Sequence, residues 1–353
     1  MEPMTARTGC NGSGDPRRRR ALGVFTISVA CIGAATAFLN GTFLGAAQSA
    51  VPADSRVQVR SGEPRVIHVP GESATIQGAI DMAPDGSTVM IAPGIYRERI
   101  LLEGRAVHLL GVGGASATQV VGDGSTRPIA WIRGGSSRIE GLTFEGGRGD
   151  TGRGANVQRG STVFVNCGFV RNAGGVEATD ARVDFEACHF IGNRSPFAGG
   201  GLLARRSELQ LDRCRVEANV ATTFGGGLGL MEGEVRMQDC LLANNRVASG
   251  AWGGGLYGDQ ARVMVQGGVF QGNVSAESGP AAFVEGGSAT FDGVRFDDNR
   301  SDGGWVVHGS GDAILSLEGS EGEVGRIGTA DEGGDELAMA DPANGAGSPI
   351  TAP

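Results

Sequence analysis

Apolar and polar residues alternate in short runs along most of the chain. In residues 183–190, VDFEACHF, the apolar side chains stand at alternate positions up to Phe185 and resume after a two-residue step at Cys188. The stretches LQLDRCRV (209–216) and VRMQDCLL (235–242) repeat this arrangement. Alternation with period two is typical of half-buried strands, and the step in the middle lets the chain turn a corner. The pattern predicts short strands separated by corners, with no helix inside the repeat.

The runs return at a nearly constant interval. Each ends in an asparagine, and successive asparagines are 21, 26, 26, 28 and 26 residues apart. A period of this length without a helix predicts a single right-handed parallel β-helix, in which every strand pairs with its counterpart one period later, about 4.8 Å away. A leucine-rich horseshoe needs its own leucine signature and a propeller blade a longer period, so neither fits.

The recurring residues have a mechanical explanation. The asparagines are expected to stack into a ladder of side-chain amides and to take the positive φ angle that a sharp corner needs. Triple glycines from Gly199, Gly225 and Gly253 let the backbone bend into the next strand. Four cysteines share one repeat position and are expected to pack inward as free thiols rather than as disulfides or metal ligands. These predicted ladder residues are Asn172, Asn193, Asn219, Asn245, Asn273 and Asn299, with Cys167, Cys188, Cys214 and Cys240.

The two ends of the chain differ from the repeat. Residues 17–20 are RRRR and precede an apolar run, residues 21–39, which predicts a signal peptide within 1–47 or a retained membrane anchor. Residues 48–64 are expected to be a linker and 65–318 the β-helix. Residues 319–353 are acidic and glycine-rich, which predicts disorder. Either use of the apolar run predicts an exported protein: secreted, periplasmic or at the cell surface.

Charge narrows the choice of partner. All 30 basic residues are arginine and the formal net charge is −9; the first 47 residues carry five arginines and two carboxylates, which leaves −12 for the remainder. An acidic body disfavours nucleic acid and anionic membranes, so membrane contact is expected only through the N-terminal apolar segment.

Outward positions on adjacent coils provide the candidate chemistry. Glu186 beside Asp212, near Arg215 and Arg236 and with His189 nearby, could bind a divalent cation and the acid group of a uronic polysaccharide. The competing interpretation is that these are solvated strand residues paired with their neighbours. No HxxH or HExxH spacing occurs, and neither a resident metal nor a cofactor is expected, except for calcium if the protein is a lyase.

Large aromatic residues precede the glycine triplets. Phe197, Phe224 and Trp252 are expected to form a column on stacked coils, with Trp305 as its continuation. Such a column could stack on sugar rings or could shield the core.

Two family resemblances support this reading. F-x-x-N at Phe169/Asn172, Phe190/Asn193, Phe270/Asn273 and Phe296/Asn299, alternating with G-G-x-aliphatic, resembles the repeats of chlamydial polymorphic outer-membrane proteins; Val216 and Leu242 replace the phenylalanine in two coils. The resemblance covers about residues 140–310 and implies a β-helical fold. Residues 319–353 are not expected to form the β-barrel in which those proteins end. Residues 74–110, including GIYRE, are similar to the opening of pectin methylesterases, and Ile76, Ala79, Ile80 and Ala83 have the spacing of a helix that covers the end of a β-helix. The esterase motifs QAVA, QDT, DFIFG and LGRPW do not occur, so the resemblance implies architecture without esterase activity.

Two classes of function follow. The first is a non-catalytic exported β-helix that binds a polysaccharide, a cell-envelope component or another protein. The second is a carbohydrate-active enzyme of the pectin-lyase-like class, either a uronan lyase or a glycoside hydrolase. The missing esterase motifs favour the first class.

Overall fold

The computed structural model describes residues 62–248, 250–322, 326–329 and 336–337. The predicted signal or anchor segment and most of the predicted linker and tail lie outside these residues. The first half of the described chain contains β1 (Val66–Val69), α1 (Ile76–Met82), β2 (Thr88–Ile91), β3 (Gly94–Tyr96), β4 (Ile100–Glu103), β5 (His108–Gly111), β6 (Thr118–Val121), β7 (Ala130–Arg133), β8 (Ser136–Glu140), β9 (Thr143–Glu145), β10 (Ala155–Gln158), β11 (Ser161–Val165), β12 (Gly168–Val170), β13 (Val176–Thr179), β14 (Arg182–Glu186) and β15 (His189–Ile191).

The second half continues the same sequence of short strands and adds four strands of eleven residues. It contains β16 (Arg194–Ser195), β17 (Leu202–Asp212), β18 (Arg215–Glu217), β19 (Val220–Ala221), β20 (Leu228–Gln238), β21 (Leu241–Ala243), β22 (Arg246–Val247), β23 (Leu256–Gln266), β24 (Val269–Gln271), β25 (Ala282–Asp292), β26 (Arg295–Asp297), β27 (Trp305–Ser310), β28 (Ile314–Glu318), β29 (Glu321–Gly322), β30 (Arg326–Thr329) and β31 (Glu336–Leu337).

These strands form three sheets in which neighbours are one coil apart. Sheet A has 18 strands, sheet B has ten and sheet C, formed by β16, β19 and β22, has three. All pairings in them are parallel except that of β30 with β31. The predicted parallel β-helix is therefore confirmed. Within sheet A each coil bends once, at Arg206 (φ 47°) in β17, which gives two panels: A1 before the bend, as in 202–205, and A2 after it, as in 207–212.

The core is a continuous apolar column inside the coils. Alternate residues of most strands point inward, and the largest of them stack along the helix axis, as Phe169 does on Phe190 at a centroid distance of 5.1 Å. Helix α1 packs its buried Ile76, Ala79 and Ile80 against this core beside β1 and β2. The helix thus lies where its spacing predicted, over the strands of the first coil.

The asparagines form a buried ladder between sheets B and C. Asn219 donates from Nδ2 to the carbonyl of Phe190 (2.8 Å) and to Oδ1 of Asn245 (3.0 Å), and its own Oδ1 accepts from Asn193. The same bonds recur at Asn193, Asn245 and Asn273. Because each buried amide is satisfied by the coils on either side, the ladder fixes the register of the whole stack.

The expectation that these asparagines adopt positive φ was wrong. The left-handed residue is the one before each asparagine, for example Ala218 (φ 55°), Asn244 (φ 54°) and Asp298 (φ 52°). The ladder residue itself must present its amide along the axis, so the corner is made one position earlier.

The glycine triplets are required by close approach as well as by φ. The first glycine of each is left-handed, as at Gly225 (φ 61°). The second lies against the next coil: a Cβ on Gly226 would stand 2.4 Å from the carbonyl oxygen of Gly254 and 2.6 Å from the backbone nitrogen of Arg246. No side chain fits there without moving the backbone.

Candidate functional site

A long groove runs along panel A2, across the strands β11, β14, β17, β20, β23 and β25. Its volume is about 670 Å³. Two outward columns line it, because in parallel strands the residues that pair across the ladder point to the same side. The first column is Asp184, Gln210, Arg236, Met264 and Thr290, and the second is Glu186, Asp212, Gln238, Gln266 and Asp292.

The predicted carboxylates of this groove are already in ion pairs. Arg213 places a guanidinium nitrogen 3.1 Å from Oε1 of Glu186 and 2.8 Å from Oδ2 of Asp212. Arg236 pairs in the same way with Glu234 on its own strand. All of these side chains are partly exposed, so each pair contributes little to stability, about 0–1 kcal/mol. Their effect is to reduce the charge that the groove presents.

Arg213 is the residue that sequence reasoning missed at this site. It stands at the corner between panel A2 and sheet B with φ 50°, where Asn166, Ala187, Asp239 and four glycines occupy the same place in other coils. Because this position carries no consistent residue type, the repeat gives no signal that its side chain turns back over the groove.

The same corner separates the remaining predicted residues from the groove. His189 lies in β15 and Arg215 in β18, where the two pair as neighbours in sheet B. Arg215 makes an ion pair with Glu217 at 3.1 Å. Neither residue lines the groove, so the predicted group of five divides: Glu186, Asp212 and Arg236 come together on panel A2, and the other two point out from sheet B.

The predicted aromatic column is only partly formed. Phe224 stacks on Trp252 with centroids 5.6 Å apart. Phe224 in turn lies on the buried Tyr257 of panel A1, at 4.6 Å, and Trp252 lies on the buried Phe283 of the same panel. These rings cover core. Phe197 is 51% exposed, and among the described residues no ring contact joins it to this stack. It stands two residues before its glycine triplet whereas Phe224 stands one before, which displaces it from the column.

Trp305, the expected continuation of the column, has a different partner. Its ring stacks on His308, with centroids 5.0 Å apart, one coil beyond Phe283. Burial lowers the pKa of this histidine, whose Nδ1 lies 2.5 Å from the hydroxyl of Ser278.

Beside the aromatic stack, two carboxylates are neighbours without an arginine between them. Asp259 and Glu285 pair across β23 and β25, and Glu285 accepts a hydrogen bond of 2.7 Å from the phenol of Tyr257. Desolvation, then the charges of Glu285 and Glu232, raise the pKa of Asp259. Burial and Glu285 also raise the pKa of Tyr257. Like charges held together in this way favour protonation of one of them.

The four cysteines are buried free thiols. Each Sγ lies 3.3–3.5 Å from backbone carbonyl oxygens, as Cys188 does from Phe164. Burial raises the pKa of the Cys188 thiol, which keeps it protonated and unreactive. Within the described ranges, no group of three or more histidine, cysteine, aspartate or glutamate side chains could hold a metal ion.

Comparison with known proteins supports the architecture. The model of a family described as "Right handed beta helix region" matches residues 105–270. The fold is a right-handed parallel β-helix. The match does not test the likeness to chlamydial repeats, which stays a resemblance. No curated protein sequence matches the chain.

Several solved structures are similar in their overall course. Pectate lyase Pel9A is 13% identical, with 74% of this chain and 79% of that chain covered and a TM-score of 0.43. Pectin methylesterase PemA from Erwinia chrysanthemi is 13% identical (80% and 86% covered, TM-score 0.36). The pectin methylesterase from carrot is 14% identical (74% and 89% covered, TM-score 0.36). In the part of this chain that the structure describes, no helix is long and apolar enough to cross a membrane.

Proposed function

We propose that this chain is an exported, non-catalytic β-helix protein that binds an extended, uncharged polysaccharide along the groove of panel A2. The observation that carries the proposal is the groove itself: hydrogen-bonding side chains such as Gln210, Gln238, Gln266 and Thr290 recur once per coil over its length. A polymer that offers hydroxyl groups at regular intervals suits a wall that offers amides and carboxylates at regular intervals.

The charges of the groove favour an uncharged ligand. Four carboxylates, from Asp184, Glu186, Asp212 and Asp292, line it together with one arginine, Arg236. Arg213 pairs with two of them from the corner, which still leaves more carboxylates than arginines at the groove. An acidic polymer would meet like charges there, and like charges placed together cost binding free energy. Hydroxyl groups, in contrast, donate well to carboxylates and amides.

The ion pairs support a binding role over catalysis. A general acid or base must keep its carboxyl group free to reach the proton that it transfers. Glu186 and Asp212 both accept from Arg213 instead.

An enzyme remains the second candidate, because Glu186 and Asp212 occupy paired positions on adjacent strands with Arg236 on the next. Under that alternative, calcium bound between the carboxylates would offset the charge of a uronan, and the enzyme would be a polysaccharide lyase; a glycoside hydrolase would use the two carboxylates directly.

A panel of soluble polysaccharides separates these functions. Binding is measured by affinity electrophoresis or calorimetry, and turnover by the release of unsaturated products with calcium present and of reducing ends. We expect a neutral polymer to bind without turnover. The double variant Gln238→Ala, Gln266→Ala should bind about tenfold more weakly, since each lost hydrogen bond contributes about 0.5–1.5 kcal/mol.

Gln271→Ala is the matched control, because this exposed glutamine lies on sheet B. It should bind as the unchanged protein does. If the protein forms product and Asp212→Ala does not, the non-catalytic proposal is overturned. If Gln271→Ala weakens binding as much as the double variant does, the groove is not the binding site.

Export is supported by the basic and apolar composition of residues 17–39. Cell fractionation and mass measurement of the mature N-terminus test it. Cleavage after Ala37, Ala47 or Ser49 with protein outside the cytoplasm is expected for a signal peptide, and an intact N-terminus in the membrane fraction for an anchor. Intact protein in the cytoplasm would contradict both.

A further inference from the structure

A row of arginines lies on sheet C and on the two isolated β-bridges that extend it to Arg300. Arg194 pairs with Val220, Val220 with Arg246, Arg246 with Val274 and Val274 with Arg300, all in parallel register. An arginine therefore occurs on every second coil. Neighbouring strands are 4.7–4.9 Å apart, so successive arginines are attached to the backbone at intervals of about 9.6 Å.

The cations of this row are exposed, and two of them have no acidic partner. Within residues 62–248 and 250–322, no carboxylate lies in ion-pair distance of Arg194 or Arg246. Arg300 lies 3.7 Å from Asp298, and its side chain is 78% exposed. Most of the other arginines in the part of the chain that the structure describes are paired along or between strands, as Arg182 and Arg206 are. The row is thus an exception to the local balance of charge.

A depression of about 410 Å³ adjoins the row at Arg300. Val274 and Arg300 line it from the row, and Asn244, Gln271 and Asp298 line it from the neighbouring corner and from sheet B. It supplies amide groups and an apolar surface next to the cations. A chain that ran along the row would find hydrogen-bonding partners beside the charges.

The asparagine ladder holds the backbone of the row in place. The N–H groups of Arg194, Arg246 and Arg300 donate to the carbonyl oxygens of the ladder asparagines one coil earlier, each at 2.9 Å. The points of attachment are therefore fixed, although the long side chains remain adjustable. Preorganisation of this kind reduces the entropy that binding costs.

We propose that this row binds a linear acidic polysaccharide that presents one carboxylate or sulfate per disaccharide on the side that faces the row. The interval between arginines is about the length of one disaccharide in an extended pyranose chain, so successive acid groups on one side of such a polymer meet successive guanidinium groups. Guanidinium is suited to this role because it binds carboxylate and sulfate oxygens through paired N–H donors.

Charge spacing distinguishes this ligand from other polyanions. Phosphates follow one another every 3.4 Å along a DNA strand, so a row with this interval would neutralise only a minority of them. An anionic membrane attracts each exposed basic residue only weakly, so two arginines without an acidic partner provide little binding to it. The row lies on a different sheet from the groove of panel A2, so this inference is independent of the proposed function.

The test uses polygalacturonate as the acidic polymer and its fully methyl-esterified form as the uncharged counterpart. The full-length protein should bind polygalacturonate, with an affinity that falls as salt is raised, and should bind the ester at least tenfold more weakly at this row. Arg194→Gln, Arg246→Gln should lose about tenfold in affinity at low salt, because two exposed ion pairs contribute up to about 1 kcal/mol each. Arg300→Gln alone should lose less affinity, because Asp298 already neutralises part of the charge of Arg300.

Arg159→Gln, Arg262→Gln is the matched control: both arginines are exposed, Arg159 at the bend of sheet A and Arg262 in β23, and the change of net charge is the same. It should keep its affinity within about twofold, and thermal unfolding should be unchanged in both double variants. Equal losses in the control, or an unchanged affinity in Arg194→Gln, Arg246→Gln, would overturn the proposal. The proposal would also be overturned if these arginines bound single-stranded oligonucleotides or phosphatidylserine vesicles while the protein did not bind polygalacturonate. Loss of neutral-polymer binding in the groove variants would leave this result untouched, so the two proposals fail separately.

Discussion

Removal of one rung from the asparagine ladder tests how the stack is held together. The side chain of Asn219 makes four hydrogen bonds in a fully buried position: two donated, to Phe190 and Asn245, and two accepted, from the backbone and the amide of Asn193. Asn219→Ala removes all four and leaves the Asn193 N–H and the Phe190 carbonyl without a partner. At about 1 kcal/mol per bond, we expect the free energy of unfolding to fall by about 4 kcal/mol.

Asn172 offers a matched comparison near one end of the same ladder. Its side chain is also buried but makes two bonds: Nδ2 donates to Phe144 at 3.0 Å and Oδ1 accepts from Gly147 at 2.8 Å. Asn172→Ala should therefore lower the free energy of unfolding by about 2 kcal/mol, half the loss at Asn219. Urea unfolding followed by circular dichroism measures both. If the two variants lose the same amount, or if Asn219→Ala loses less than Asn172→Ala, the bonds between rungs contribute nothing and the reasoning fails.

Three further predictions concern packing, charge and thiols. Gly226→Ala should prevent folding or unfold the protein at much lower urea, because its Cβ would meet backbone atoms at 2.4–2.6 Å, whereas Gly258→Ala, with neighbours at 3.5 Å, should be tolerated; similar midpoints in urea would contradict this. Asp259→Asn should be more stable than the unchanged protein at neutral pH, and the difference should close as the pH falls toward 3.8, the ordinary pKa of the carboxyl group. Because the pKa of Asp259 is raised in the folded protein, its protonated form gives stability below the ordinary pKa, and this stability is lost as the pH rises through the pKa of the folded state. Asp180→Asn should show the opposite sign. The hydrogen bond that Arg206 donates lowers the pKa of Asp180, so the ionised carboxylate stabilises the fold and the variant should be less stable than the unchanged protein at neutral pH. Equal signs for the two variants in pH-dependent urea unfolding would refute both predictions. Peptide mapping after alkylation should find Cys167, Cys188, Cys214 and Cys240 unlabelled in the native protein and labelled after unfolding, and disulfide-linked peptides would contradict it.

The repeat made the fold predictable, because the same strands, corners and ladder residues recur often enough to reveal their period. It did not reveal where each corner turns. The left-handed position before the ladder is filled by Arg171, Gly192, Ala218, Asn244, Gly272 and Asp298 in successive coils. Glycine occurs there twice and no other residue type recurs, since the backbone bonds of the neighbouring coils impose the conformation on whatever residue is present. The sequence pattern therefore marked the asparagine one position later.

The candidate site was harder to predict for the same reason. Alternation assigns a residue to the inside or the outside of a coil but does not say which outer face it joins. A single left-handed residue at Arg213 turns the chain between Asp212 and Arg215, so two outward residues three positions apart face different ways. The groove contains only those candidates that precede this corner. Ion pairs made by corner side chains are likewise absent from a period-two pattern.

The ladder and the arginine row are adjacent in sequence, and this connects the scaffold to recognition. Asn193 precedes Arg194 and Asn245 precedes Arg246, so the residue that fixes each coil is followed at once by one that faces the solvent. The carbonyl of Asn219 accepts the N–H of Arg246 at 2.9 Å, and the amide of Asn219 is in turn held by Asn245. A ladder variant such as Asn219→Ala should therefore weaken the binding of an acidic polymer as well as the fold, by loosening the points at which Arg194 and Arg246 are attached. Val89→Ala, which shortens a buried core side chain in β2, should reduce stability and leave that binding nearly unchanged, and the reverse result would separate the ladder from recognition.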